Sequence, residues 1–281
     1  MKNVGIICDL NFQKHPLFQS YYHSILYHYK NLTIVKNIND LNDIEILCIG
    51  DEHHIQNKEI WKNIEFINEC NNNNIIVIIF NNERIMDSDY FWNVENQEYV
   101  NKFNNVYQYV SDVDDVIKLN KRFNRMPPSK YVQSFLGQIQ EQDKLNKAIF
   151  IGSVGYEKRR NLLNHISNII PIDIIESNNM TWIEYIHKLA KYKFVISPFG
   201  NAHFFPMRFY EILLAKSIPI QEVKNNTLKY YDIESQFDDC IFFENISELK
   251  NKINNCKLNN SYNMIWLEDT IGKLLKNDNL L

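Results

Sequence analysis

The chain carries two successive series of short apolar runs, each alternating with segments whose apolar residues recur three and four apart. In the first series, runs of strand length fall at Val4–Leu10, Leu32–Val35, Ile44–Ile49, Ile75–Phe80 and Val106–Val110. Between them, Leu17–Tyr29 and Ile60–Cys70 have the spacing of amphipathic helices. Continuous apolar strands separated by helices predict a parallel sheet covered on both faces, because such strands have no polar side to turn to water. The series ends at FNRMPPSKY, Phe123–Tyr131, where Pro127 and Pro128 forbid a continuing helix and read as a linker.

The second series is more regular. Strands are predicted at Ala148–Ser153, Ile172–Glu176, Phe194–Ser197, Ile218–Val223 and Cys240–Phe243, with helices at Tyr156–Ile166, Thr181–Tyr192, Pro206–Lys216 and Ile246–Ile253. Thr181 with Glu184 three residues on has the form of a capping box, and Pro206 sits at a first helical turn, where its missing N–H costs nothing. A last amphipathic segment, Met264–Leu275, is predicted to place Ile265, Trp266, Ile271, Leu274 and Leu275 on one face. The fold class expected is therefore α/β, with two Rossmann-like domains facing across a cleft. Residues 1–128 form the first domain and 129–262 the second, while 263–281 form a C-terminal helix placed to pack back on the first.

Composition narrows this picture. At 281 residues with 45% hydrophobic content, the chain suits two domains of roughly 100–150 residues each. A net charge of −4 argues against a protein that grips nucleic acid by bulk electrostatics. Cys8, Cys48, Cys70, Cys240 and Cys256 are scattered without a CxxC pair, and Cys8, Cys48 and Cys240 sit in apolar strand-like runs as buried thiols, which predicts a reducing compartment and no zinc or other metal site. The opening MKNVGIICDL enters a strand directly, without the form of a signal peptide, and no apolar stretch nears the ~18 residues of a membrane span. The expectation is a soluble cytoplasmic protein. Heavy use of Asn and Ile, with Asn71–Asn74 as a surface loop, fits an AT-rich genome and is compatible with a viral source.

The chemistry concentrates in KYKFVISPFGNAHFFPMRFYEILLAKSIPIQE, residues 191–222. A buried strand ends at Ser197-Pro198; a loop with Gly200, Asn201 and His203 follows; a helix then opens with Arg208 and Glu211. N–H groups at a helix start attract phosphate, and an arginine there adds a planar charged fork. A carboxylate at the same start can accept both hydroxyls of a ribose, so one loop and helix can hold the polar part of a nucleoside diphosphate. The bland alternative is a solvated i,i+3 ion pair between Arg208 and Glu211. A second stretch, IFIGSVGYEKRRNLL, residues 149–163, places a Gly152/Gly155 loop before Lys158, Arg159 and Arg160 at a helix start. That is a phosphate cradle, against the alternative of a solvated basic run.

SPFGN, then R-x-Y-E, then A-K-S-I-P-I resembles the donor-site segment of GT-B glycosyltransferases, particularly the exostosin-like and related families. The resemblance covers roughly residues 145–255. It implies that Glu211 binds the ribose, that Arg208 is a phosphate or structural residue, and that the Gly152, Arg159 and Arg160 element serves the diphosphate. With Ser197, Gly200 and Asn201 these are the expected donor-binding residues. Lys216-Ser217 departs from the pattern, standing where a small residue and a glycine are usual.

The function so implied is transfer of a sugar from a nucleotide-diphosphate donor, such as a UDP-sugar, to a hydroxyl of a glycan or small molecule, with no further cofactor. Inverting transfer needs a base on the acceptor hydroxyl. Asp9, at the end of the first strand, is the first candidate; Glu83, after the fourth, and the Asp51-Glu52-His53-His54 cluster, after the third, are alternatives. Retaining chemistry would need no such base. Asp87-Ser88-Asp89 has the D-x-D form that holds a metal in GT-A enzymes, but it does not follow a strand directly. Two rival readings remain. One is a DNA-base glycosyltransferase of phage type, for which Lys118, Lys121, Arg122, Arg125 and Lys130 would offer a basic run. The other is a non-catalytic, two-lobed binder of a nucleotide or sugar.

Overall fold

The computed structural model describes residues 2–7, 20–29, 31–50, 59–81, 97–123, 125, 127–137, 139, 143–176, 180–198, 207–224, 237, 239–256 and 264–281. Contacts divide the chain into two compact units, Met1–Val132 with Ile265–Leu281, and Gln133–Met264.

In the first unit, strands β1 (Val4–Ile7), β2 (Leu32–Ile34), β3 (Ile46–Ile49), β4 (Ile76–Asn81), β5 (Val106–Val110) and β6 (Arg122–Phe123) form a parallel sheet in the order β2-β1-β3-β4-β5-β6. The period-two alternation decides which face each residue serves. Leu47, Ile49, Val77 and Ile79 pack with Trp61, Phe66 and Ile67 of helices α2 (Glu59–Lys62) and α3 (Ile64–Asn72). On the other face, Ile46, Cys48, Ile78 and Phe80 meet Ile25 and Tyr29, at and just beyond α1 (Ser20–His28), and Leu267, Ile271 and Leu275 of the C-terminal helix. The predicted helix 60–70 is thus broken. Asn63 is extended (φ −71°, ψ 126°), and its side chain accepts from the N–H of Glu65 to cap α3. Helix α4 (Val113–Leu119), capped by Asp112, and the short strand β6 were not foreseen.

The second unit repeats this topology. Strands β7 (Leu145–Ile151), β8 (Ile172–Ile175), β9 (Tyr192–Ser197), β10 (Ile218–Glu222) and β11 (Ile241–Phe243) are parallel in the order β8-β7-β9-β10-β11, which matches β2-β1-β3-β4-β5. After α5 (Gln133–Leu136) come α6 (Glu157–Ser167), α7 (Trp182–Ala190), α8 (Met207–Leu214) and α9 (Ile246–Asn255). Leu162, Leu163 and Ile166 of α6 and Leu249 and Ile253 of α9 cover one face of the sheet through Phe150, Phe194, Ile196 and Ile220. Helices α7 and α8 pack on each other and on β9. The Thr181–Glu184 capping box is present in both directions.

The departure at Lys216-Ser217 has a local cause. Lys216 lies in the left-handed region (φ 53°), where glycine is usual and a β-carbon is disfavoured. Ser217 is fully buried, and its hydroxyl donates toward the Leu189 and Tyr192 carbonyls while accepting from Lys144 Nζ at 3.2 Å. A glycine at 217 would forfeit that junction.

Helix α10 (Leu267–Asn277) returns to the first unit and packs on α1. Its buried stripe is Leu267, Ile271 and Leu275, whereas Ile265 and Trp266 precede the helix instead of sharing its face. Gly272 is required there: a β-carbon would come within 2.5 Å of His28 Cε1. Buried Glu268 accepts from the Ser129 hydroxyl and, at 3.0 Å, from the Lys130 N–H, and the Leu267 N–H donates to the Pro128 carbonyl at 3.0 Å. No helix among the described residues is long and apolar enough to cross a membrane.

Candidate functional site

Parallel strands bring all their C-terminal ends to one edge, and ligands of such sheets bind where the strand order reverses. In the second unit that point lies between β7 and β9, because the chain goes from β7 to β8 on one side and then crosses to β9 on the other. The loop Gly152–Tyr156 leaves β7 there, and Ser197-Pro198 leaves β9. The two sequence stretches that carried the chemistry therefore end at the same place.

They also touch. Gly152 has φ 151°, and a β-carbon on it would lie 3.1 Å from Arg208 Nη2 and 3.2 Å from Phe150 Cζ. The Arg208 guanidinium, from the first turn of α8, is thus laid against the bare backbone of the β7 loop. The Phe150 ring is flanked by two guanidiniums, with Arg208 5.3 Å and Arg159 5.7 Å from its centroid. Arg159 donates from Nη1 to the Ser153 carbonyl at 2.7 Å and lies 5.2 Å from the Tyr156 ring. Burial, and then the neighbouring Arg208 charge, pull Arg159 below its ordinary pKa. Two like charges held together at a helix start form an arrangement that an anion relieves.

Arg160 behaves differently. It is exposed and donates to the Val154 and Gly155 carbonyls at 3.2 and 2.7 Å, bracing the loop. Lys158 pairs with Glu222, at the end of β10, at 2.9 Å. Of residues 158–160, Lys158 and Arg160 are thus exposed, as a solvated basic run requires, and only Arg159 is half-buried, against Phe150.

Glu211 is 8% exposed, so Arg208 and Glu211 do not form a solvated surface pair. One carboxylate oxygen accepts from Trp182 Nε1 at 2.8 Å. Burial pushes the Glu211 carboxyl above its ordinary range; Trp182, the Arg208 charge and Tyr185 hold it back. Burial and the Glu211 carboxylate likewise raise the Tyr185 phenol. Trp182 and Tyr185 sit one turn apart at the start of α7 and were missed from sequence, where an aromatic pair at helical spacing reads as core. Ser197 is fully buried beneath the edge; its hydroxyl and the Oε1 of Gln221, its register partner, find no hydrogen-bond partner among the described residues.

Gly200, Asn201 and His203 lie outside the described residues, as do Asp9, Asp51–His54, Glu83 and Asp87–Asp89. The strands that precede the first of these are described. β1 and β3 pair through Ile7 and Ile49 at the order reversal of the first sheet, and Asp9 follows β1 by two residues. The basic run near the linker is largely engaged. Lys118 pairs with Asp114 at 3.9 Å, Arg122 with Asp278 at 3.2 Å, and Lys130 with Asp269 at 2.9 Å.

No family model and no curated protein matches the sequence. Among solved structures, an alpha-glucosyltransferase in complex with UDP-glucose and DNA containing an abasic site aligns with a TM-score of 0.53 and 10% identity, covering 98% of each chain. The glycotransferase of kitacinnamycin aligns with a TM-score of 0.40 and 7% identity, over 98% of this chain and 94% of that one, and nothing rests on it. The likeness to the alpha-glucosyltransferase is one of fold: an α/β chain with two parallel sheets, matched nearly end to end.

Proposed function

We propose that the chain is a GT-B glycosyltransferase that transfers a sugar from a nucleotide-diphosphate donor to a hydroxyl acceptor. The observation that carries this reading is the convergence of Arg159 and Arg208 on Phe150 and Gly152 at the order reversal of the second sheet. In such a transfer the bond between the anomeric carbon and the diphosphate oxygen breaks, an acceptor oxygen bonds to that carbon, and the acceptor proton passes to a base. The transition state resembles an oxocarbenium ion, and negative charge gathers on the leaving diphosphate. Arg208 and Arg159, with the first N–H groups of α6 and α8, stabilise that charge, and it is there that fixed donors in a dry site contribute most.

Glu211 retains acceptor capacity beyond its bond from Trp182, since an ionised carboxylate offers about four lone-pair positions; the ribose hydroxyls take it. Arg160, Gly152, Ser197, Gly200 and Asn201 complete the donor loops, and the first unit supplies the acceptor site. Asp9 serves as base if the reaction inverts, with Glu83 as the alternative. The donor of the full-length structural neighbour, UDP-glucose, favours a UDP-sugar.

The test is a thermal-shift series with nucleoside diphosphates and their sugars. A ligand that binds only the folded state raises stability by about 2.7 kcal/mol at a hundredfold excess over its dissociation constant. Glu211→Ala should abolish most of that gain while the circular dichroism spectrum stays unchanged. If no nucleotide stabilises the wild type, the reading is wrong. Donor hydrolysis without acceptor separates an enzyme from a non-catalytic binder.

A second reading of the acceptor is favoured by one observation, namely that the same neighbour was solved with DNA. On that reading the acceptor is a hydroxylated base in DNA. Of the basic run, Lys118, Arg122 and Lys130 already pair with carboxylates, so a duplex would exchange those ion pairs for phosphates. Radiolabelled sugar transfer to hydroxymethylated duplex, compared with glycans, decides between the two.

A further inference from the structure

Tyr156, at the end of the loop that leaves β7, is 67% exposed. It stands at the N-cap of α6 with extended backbone, where Ser, Thr, Asp or Asn would satisfy a helical N–H, and its own side chain makes no cap bond. Neither capping nor burial accounts for a large aromatic at this position. The loop nevertheless holds it in place. Ser153 Oγ accepts from the Gly155 N–H at 3.2 Å, Arg159 donates to the Ser153 carbonyl at 2.7 Å, and Arg160 donates to the Gly155 carbonyl at 2.7 Å. The Arg159 guanidinium lies 5.2 Å from the centroid of the Tyr156 ring and 5.7 Å from that of Phe150, so it touches one exposed ring and one buried ring. Most of the Tyr156 ring stays open to solvent.

The contacts of the site follow one another in a fixed order. Glu211 and Arg208 stand three residues apart on α8, and Arg208 lies against Gly152, 5.3 Å from the Phe150 ring centroid. Arg159 follows on that same ring, and Tyr156 on Arg159. A nucleotide sugar is also a chain of parts: ribose, diphosphate, sugar. With the ribose at Glu211 and the diphosphate across the two guanidiniums, the part that reaches Tyr156 is the sugar. We propose that the open face of Tyr156 stacks on the C–H face of the donor's pyranose ring and holds the sugar that is to be transferred. This rests on the nucleotide-diphosphate reading of the site. The face of an aromatic ring is negative and the ring C–H groups of a sugar are weakly positive, so the two attract while water leaves both. A ring already fixed by its loop loses little freedom when the sugar arrives.

The experiment is calorimetric titration of the full chain with UDP-glucose, UDP and inorganic pyrophosphate, with a thermal melt of every variant. Tyr156→Ala should weaken UDP-glucose roughly five- to tenfold while UDP and pyrophosphate stay within about twofold of wild type. Tyr156→Phe keeps the ring and should bind all three ligands like wild type. Tyr156→Leu keeps apolar bulk without an aromatic face and should repeat the alanine result, so the comparison survives an alanine variant that does not fold. An equal loss of all three ligands would overturn the proposal, because the ring would then only support Arg159. An equal loss of UDP-glucose and UDP with pyrophosphate unchanged would overturn it too, by placing the nucleoside at Tyr156. So would an unchanged affinity for UDP-glucose. In each of these cases wild type still binds UDP, the nucleotide reading stands and only the sugar contact is lost. Wild type that binds neither UDP nor pyrophosphate overturns the nucleotide reading itself, and the role of Tyr156 with it.

Discussion

Gly152 is the residue on which the candidate site turns. Its φ of 151° suits a residue without a β-carbon, and the space that such a carbon would take is filled by Arg208 and Phe150. Gly152→Ala should therefore act twice. Forcing a side chain into that conformation costs about 1–3 kcal/mol, and displacing the guanidinium lowers nucleotide affinity. A melt and a UDP titration on the same sample read both effects; a variant that melts and binds like wild type would show that Arg208 does not lie where the structure places it. Gly152, Arg159, Arg208 and Glu211 drew notice because each falls at a strand end or a helix start, the edge at which parallel sheets bind ligands. Arg159 could not be told from Arg160 in sequence. Consecutive helical residues diverge by about 100°, so only one can face the ring, and which one depends on how α6 leaves its loop. Trp182 and Tyr185 carried no signal of their own, because their role exists only through the packing of α7 on α8.

Helices α7 and α8 both begin at the site, and both end at one side chain. Lys144 Nζ donates to the carbonyl of Ala190, the last residue of α7, at 2.6 Å, to that of Ala215, just past α8, at 3.1 Å, and to the Ser217 hydroxyl at 3.2 Å. A cation is the favoured partner for the free carbonyls of a helix C-terminus; burial, and then the nearby Lys216 charge, pull its pKa down to about 8. One ammonium thus holds the far ends of the two helices whose near ends carry Trp182, Tyr185, Arg208 and Glu211. Lys144→Met keeps the stem and removes three donors, and should cost about 1–3 kcal/mol. Urea midpoints measure it, and a loss below the error of that method would mean that water takes over the carbonyls. The elements themselves were readable to within a few residues wherever a cap or a proline marked the end, as at Thr181 and Pro127. Two features escaped. The break at Asn63 lies inside an apolar pattern that continues across it. β6 is only two residues long, and its Arg122 reads as part of a basic run until Asp278 and the Tyr107 ring are seen to hold it.

At the scale of the molecule, the chain passes between its two units twice, at Val132–Gln133 and Met264–Ile265; the first passage leaves, and the second returns to, one knot in the first unit. The Leu267 N–H to Pro128 carbonyl bond ties them together, and Glu268 gathers the Ser129 hydroxyl and the Lys130 N–H. His23 stacks on Tyr131 beside it with ring centroids 3.4 Å apart. The sequence indicated a returning C-terminal helix, but Glu268 looked like any acidic residue of a first helical turn; only its burial shows that it serves another segment of chain. Glu268→Ala leaves Ser129 and Lys130 without their acceptor and should cost about 1–3 kcal/mol, more if the lost partner is counted as a charge. That cost should fall on one unit, because the knot belongs to the first and the proposed nucleotide site to the second. Hydrogen exchange should accelerate over residues 20–29 and 267–280, while residues 145–175 and 207–222 keep wild-type protection. Added UDP should slow exchange in the second group in wild type and variant alike. Uniform acceleration across both groups would instead show that the two units unfold as one, and that a change at the linker reaches the proposed donor site through global stability.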